Sequence, residues 1–174
     1  MGIRAKYDVE ALMIEIKNKI VNEFNDKLDE ITADKAKDAG NIVVGDFKYL
    51  GGAAKEASAA IDILGINGKK AASYDPYIII SFTGDGAAPV EGMGRDKVNV
   101  MILITMIDPN DYTGEIRMLR YRRALKELFE TMSANGTGRV SLNAIETLPY
   151  LRGADYRDKT KNRLTWGVGL RLTI

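Results

Sequence analysis

The 174-residue chain has no cysteine and no histidine. Disulfides, thiolate nucleophiles, Cys/His zinc sites and imidazole acid-base catalysis are therefore outside its chemistry. What remains is catalysis by carboxylate, lysine, tyrosine or hydroxyl groups, or a divalent cation held by oxygen alone. Either would need a recognisable cluster of residues. Excess charge is also missing: 25 Lys and Arg stand against 24 Asp and Glu, so a net charge of +1 supplies no global field for nucleic acid or an anionic membrane. No apolar run reaches the roughly 18 residues that a membrane-spanning helix needs. The opening Met1-Gly2-Ile3-Arg4-Ala5-Lys6-Tyr7-Asp8 lacks the apolar stretch of a signal peptide. The expectation is a protein made and used in a cytoplasm.

What is present is an ordinary globular composition, 45% hydrophobic and 28% charged, in a length that suits one domain over residues 1–174. From Asp8, a fitting N-cap, the apolar residues Val9, Leu12, Met13, Ile16, Ile20, Phe24, Leu28 and Ile31 recur at helical steps. The opposite face, with Glu15, Lys17, Asn18, Lys19, Glu23, Lys27 and Glu30, reads as solvated. Ile42 to Leu50 is a candidate strand. Ala53 to Leu64 is a candidate short helix, and residues 51–74 are expected to form an insertion.

Tyr77 to Phe82 and Val98 to Ile104 are rich in β-branched residues and predict an antiparallel strand pair. Thr83 to Lys97, with Gly84, Gly86, Pro89, Gly92 and Gly94, is expected to be the loop at its tip. Asp108-Pro109-Asn110-Asp111 breaks the second strand, and a helix from about Glu115 to Ser133 follows, stopped by Asn135-Gly136-Thr137-Gly138. Val140, Leu142 and Ala144 alternate as a strand. Tyr150 to Asn162 reads as a charged loop. The closing segment alternates cleanly, with Leu164, Trp166, Val168, Leu170, Leu172 and Ile174 on one face. The fold class expected is α+β: an antiparallel sheet with two main helices on one face, in the order helix, strand, strand, helix, strand, strand.

The motifs that touch on chemistry fall short of it. Gly65-Ile66-Asn67-Gly68-Lys69-Lys70 lacks the glycine spacing and the Ser or Thr of a phosphate loop. Gly84-Asp85-Gly86 and Gly92-Met93-Gly94 precede no helix that could hold a phosphate. Asp108, Asn110 and Asp111 start like a calcium loop, but Tyr112, Thr113 and Leu119 stand at its positions five, six and twelve. The better reading is a turn in which Asp111 or Thr113 caps the next helix. Asp155 and Asp158 form a charged loop with no second carboxylate motif. Arg117, Arg120, Arg122 and Arg123 spread around their helix without interleaved exposed aromatics, which favours ion-pair roles over a DNA site. Trp166 reads as core.

With this order of elements, the chain resembles the tail-terminator, or tail-completion, proteins of long-tailed bacteriophages. The residues that carry the likeness are the helix Val9 to Ile31, the hairpin Tyr77 to Ile104, the helix Met118 to Met132, the strand Val140 to Ala144 and the closing strand Arg163 to Ile174. The resemblance implies a small α+β domain that forms a ring, usually a hexamer. Such a ring caps the finished tail tube and faces the head-tail connector or neck proteins, first in the host cytoplasm and then in the virion. It implies no catalytic residue, no cofactor and no metal.

On this reading the candidate subunit or partner contacts are Asp85, Glu91, Arg95, Asp96 and Lys97 in the hairpin loop, Arg120 and Arg123 on the helix, and Arg157, Asp158 and Lys159 in the later loop. Sheet edges near Ile78 and Ile174 would pair with a neighbouring subunit. The rival readings are a small carboxylate-dependent enzyme or nucleotide-binding α+β domain, and another neck or head-tail adaptor. Because thiols and imidazoles are absent, neither dithiothreitol nor EDTA is expected to move the melting temperature. A clear fall in EDTA would reveal an oxygen-only cation site and overturn the reading.

Overall fold

The structure is a computed structural model. It describes residues 9–37, 49–51, 54–63, 74–85, 97–108, 111–130, 133–134, 138–141, 151–154 and 160–173. Helix α1 runs from Val9 to Lys37. Its apolar stripe is buried as the periodicity requires, with Leu12, Met13, Ile16, Ile20, Phe24, Leu28 and Ile31 all close to zero exposure. The helix continues past Ile31 to Lys37, a stretch whose alanines and lysines have good helix propensity. Lys19–Glu23, at 2.6 Å, and Lys27–Glu30 pair along its solvent side. Asp8, the expected cap, lies outside the described residues, as do residues 42–48 of the candidate strand. Tyr49 and Leu50 are in no strand.

Helix α2, Ala54–Ala59, is shorter than expected, because the chain turns at Ala60 and enters strand β1, Ile61–Ile63. Two β-branched side chains flanking Asp62 suit a strand better than a helix end. Ile61, Asp62 and Ile63 pair in parallel with Ile78, Ile79 and Ile80. The sheet is therefore mixed, a correction to the wholly antiparallel sheet expected. Ala57, Ala60 and Ile61 are buried, so this part of 51–74 joins the core.

Strands β2, Tyr77–Asp85, and β3, Lys97–Asp108, form the antiparallel pair and are longer than the sequence indicates. Thr83, Asp85 and Lys97, expected in the loop, lie in strands, so the connection between them is residues 86–96. A one-residue register shift between Phe82 and Gly84 leaves Thr83 as a bulge. Its hydroxyl donates to the Asn99 carbonyl at 3.2 Å.

Helix α3, Asp111–Glu130, begins and ends earlier than Glu115 to Ser133. Asp111 is its first residue and Thr113 lies within its first turn, so Thr113 does not cap it. Ser133–Ala134 is instead strand β4, paired with Gly138 and Arg139 of β5, Gly138–Ser141. Gly138 thus opens a strand and does not end a helix. Leu142 and Ala144 lie outside the described residues.

Strand β6, Leu151–Ala154, occupies part of the expected charged loop. It has no apolar alternation to announce it, because an edge strand needs no buried face. At Gly153 an added Cβ would meet nothing within 4 Å. Strand β7, Asn162–Thr173, pairs with β3 along its whole length, from Lys97–Thr173 to Asp108–Asn162. Its other edge is shared by β5 at Arg171 to Thr173 and β6 at Asn162 to Thr165. The sheet order is β1-β2-β3-β7-β5-β4, with β6 also on β7.

The fold is thus α+β, with a mixed sheet and its helices on one side. The even-numbered residues Ile78, Ile80, Val100, Ile102, Ile104, Leu164 and Val168 face that side and are buried with the helices. Phe24 of α1 meets Tyr121 of α3 with ring centroids 6.0 Å apart, and both are fully buried. Phe24→Ala is expected to cost about 3–5 kcal/mol in urea unfolding, the usual range for emptying a core aromatic site. Leu119→Ala, at a position 48% exposed, serves as the control and should change stability by less than about 0.5 kcal/mol. A Leu119→Ala loss as large as that of Phe24→Ala would invert the assignment of the α3 faces.

Candidate functional site

Of the ten residues proposed from sequence as contacts, the structure describes four: Asp85, Lys97, Arg120 and Arg123. Glu91, Arg95, Asp96, Arg157, Asp158 and Lys159 lie outside the described residues. Asp85 and Lys97 are placed by their backbones at the ends of β2 and β3, where Asp85 pairs with Val98 and Lys97 with Thr173. They belong to the same end of the sheet. Arg120 and Arg123 belong to α3, which packs on β3 and β7 as well as on α1.

The structure divides the α3 arginines by burial. Arg120 is 8% exposed, and loss of solvent pushes its guanidinium below the ordinary arginine value. An arginine remains charged through such a shift. Its side chain belongs to the interior and offers no outer surface to a partner. Arg123 is half-exposed and pairs with Glu127 one turn on, at 2.5 Å. A pair of this kind contributes roughly 0.3–0.5 kcal/mol. Arg117 and Arg122 are half-buried. Sequence reasoning expected ion-pair roles for this group, and Arg123 has one.

Arg122 does something different. Its guanidinium lies over the Trp166 ring, 5.4 Å from the centroid. Trp166 is not sealed in the core as expected; it is partly buried and packs against the core from beside it. The even position puts Trp166 on the helix side of β7, and Arg122 reaches it from α3. A second stack has Arg163 over Tyr77 at 5.2 Å. Arg163 and Tyr77 are odd-numbered, so this stack sits on the face away from the helices. The two stacks bracket β7 from opposite sides. Near the second, Thr105 and Thr165 are register partners whose hydroxyls are 3.3 Å apart. The Ile107 N–H donates to the Asp75 carboxylate at 2.8 Å.

A further polar site escaped sequence reasoning. Asn25 of α1 donates its amide to the Leu50 carbonyl at 3.2 Å and accepts the Leu50 N–H at 2.9 Å. One side chain thus satisfies both backbone groups of a residue that is wholly buried. One turn later, Asp29 accepts a hydrogen bond from the Tyr49 hydroxyl. Gly51, with φ of 67°, then takes the left-handed conformation that glycine adopts without penalty. The chain after α1 is fastened to that helix by two polar residues four apart. No local pattern signals this, since the partner lies 25 residues away.

Asp62, on the face away from the helices, is a carboxylate only 1% exposed. Among the described residues no group of three or more Asp and Glu side chains is close enough to hold a metal ion. No helix among them is long and apolar enough to cross a membrane. No family model and no curated protein matches this chain.

Two outcomes check this geometry. Trp166 is the only tryptophan, so Arg122→Gln should change its fluorescence emission and lower stability by about 0.5–1 kcal/mol. An unaltered spectrum would show that the stack is absent in solution. The bond to Asp29, with burial second, raises the Tyr49 phenol above 10.0. The fold therefore favours the neutral phenol. That contribution is complete below the unfolded value and is lost as pH rises through the higher folded one. Tyr49→Phe should remove this alkaline loss, measured as a smaller fall in melting temperature across about pH 9–12.

Proposed function

We propose that this chain is a structural protein that acts by assembling into a ring, on the plan of phage tail-terminator proteins. The observation that carries the reading is the order of the long elements. Helix α1, the hairpin β2–β3, helix α3 and the closing strand β7 occur in that sequence, with β7 antiparallel to β3. In this reading a strand before β7 completes the plan of helix, strand, strand, helix, strand, strand. With β5 as that strand, the elements α2, β1, β4 and β6 are additions to it.

The distribution of polar chemistry supports the same reading. Arg122, Arg123 and Asn25 are each engaged by contacts within the chain. The ring would cap the tail tube on one side and meet connector or neck proteins on the other. The end of the sheet that carries Asp85 and Lys97 leads into residues 86–96, the segment proposed to contact neighbouring subunits. Its three glycines, its one proline, Pro89, and its mixed charges Glu91, Arg95 and Asp96 suit a loop that orders on a partner.

Light scattering and negative-stain microscopy of the purified protein test the proposal, with rings as the expected result. Saturable binding of nucleotide or Mg²⁺ by a monomer would favour a carboxylate-dependent enzyme and overturn it. The register supplies a sharper variant. Asp85 pairs with Val98, so a two-residue Asn-Gly turn can replace residues 86–97 without disturbing that pair. The shortened protein should keep its circular-dichroism spectrum and fail to form rings or complete tails in an assembly assay. Normal rings would place the interface elsewhere.

A further inference from the structure

We draw no further inference here: the strongest candidate, the sheet face opposite the helices that carries Ile79, Met101 and Leu103, is an apolar face for which nothing in the structure shows what covers it.

Discussion

The antiparallel pairing of β3 with β7 is the constraint on which the other elements depend. It joins twelve residues on each strand, from Lys97–Thr173 to Asp108–Asn162. Its two strands are separated in sequence by α3 and three short strands, so the pairing closes a long loop. That closure costs entropy before any contact offsets it, although the cost grows only slowly with loop length. Burial supplies the compensation. Ile102, Ile104, Leu164 and Val168 come together on one face and each is almost wholly excluded from water. Burying one such side chain is worth about 1.5–3 kcal/mol. Once β7 is in place, its far edge offers backbone groups to β5 and β6, neither of which has enough apolar surface to stand alone.

The helices lock that sheet from a single side. Phe24 and Tyr121 meet between α1 and α3. The Asn25–Leu50 bonds hold the chain that leaves α1 against the helix, ahead of α2 and β1. Leaving two buried backbone groups without partners would cost roughly 1–3 kcal/mol each. A single asparagine therefore holds Leu50 to α1. β1 pairs in parallel with β2, Ile61 beside Ile78. The Ile78 N–H donates to the Ala60 carbonyl at 2.9 Å, where the pairing begins.

What was legible in the sequence is what a period can encode. The stripe of α1, the β-branched runs of β2 and β3 and the alternation of β7 were each read correctly in type, because each buries one face over many residues. β1, β4 and β6 were not read. They are two to four residues long, too short to show a period, and they are held by backbone pairing that any side chain permits. The same limit applies to the polar contacts. Composition marked the arginines of α3 but not their fates, since adjacent helix positions 120, 122 and 123 face the interior, an aromatic ring and a glutamate. Asn25 carried no signal at all, its partner being distant in sequence.

Arg120 looked like a contact residue because charged side chains are usually outside. Its burial leaves it little surface to offer, and Arg123, half-exposed, pairs with Glu127 within the helix. A charge already matched inside the monomer adds little to association unless the partner offers more than the intramolecular pair it displaces. On the proposed reading, surface chemistry for assembly includes the residues that connect the strands, such as 86–96. The sheet's contribution is to fix where those residues begin and end: Asp85 and Lys97 are held by strands at one end of the sheet, and Ala154 by its pairing with Asn162 at the other. In the ring proposed above, fixing both ends of a connecting segment in paired strands would lower the entropy lost on meeting a partner.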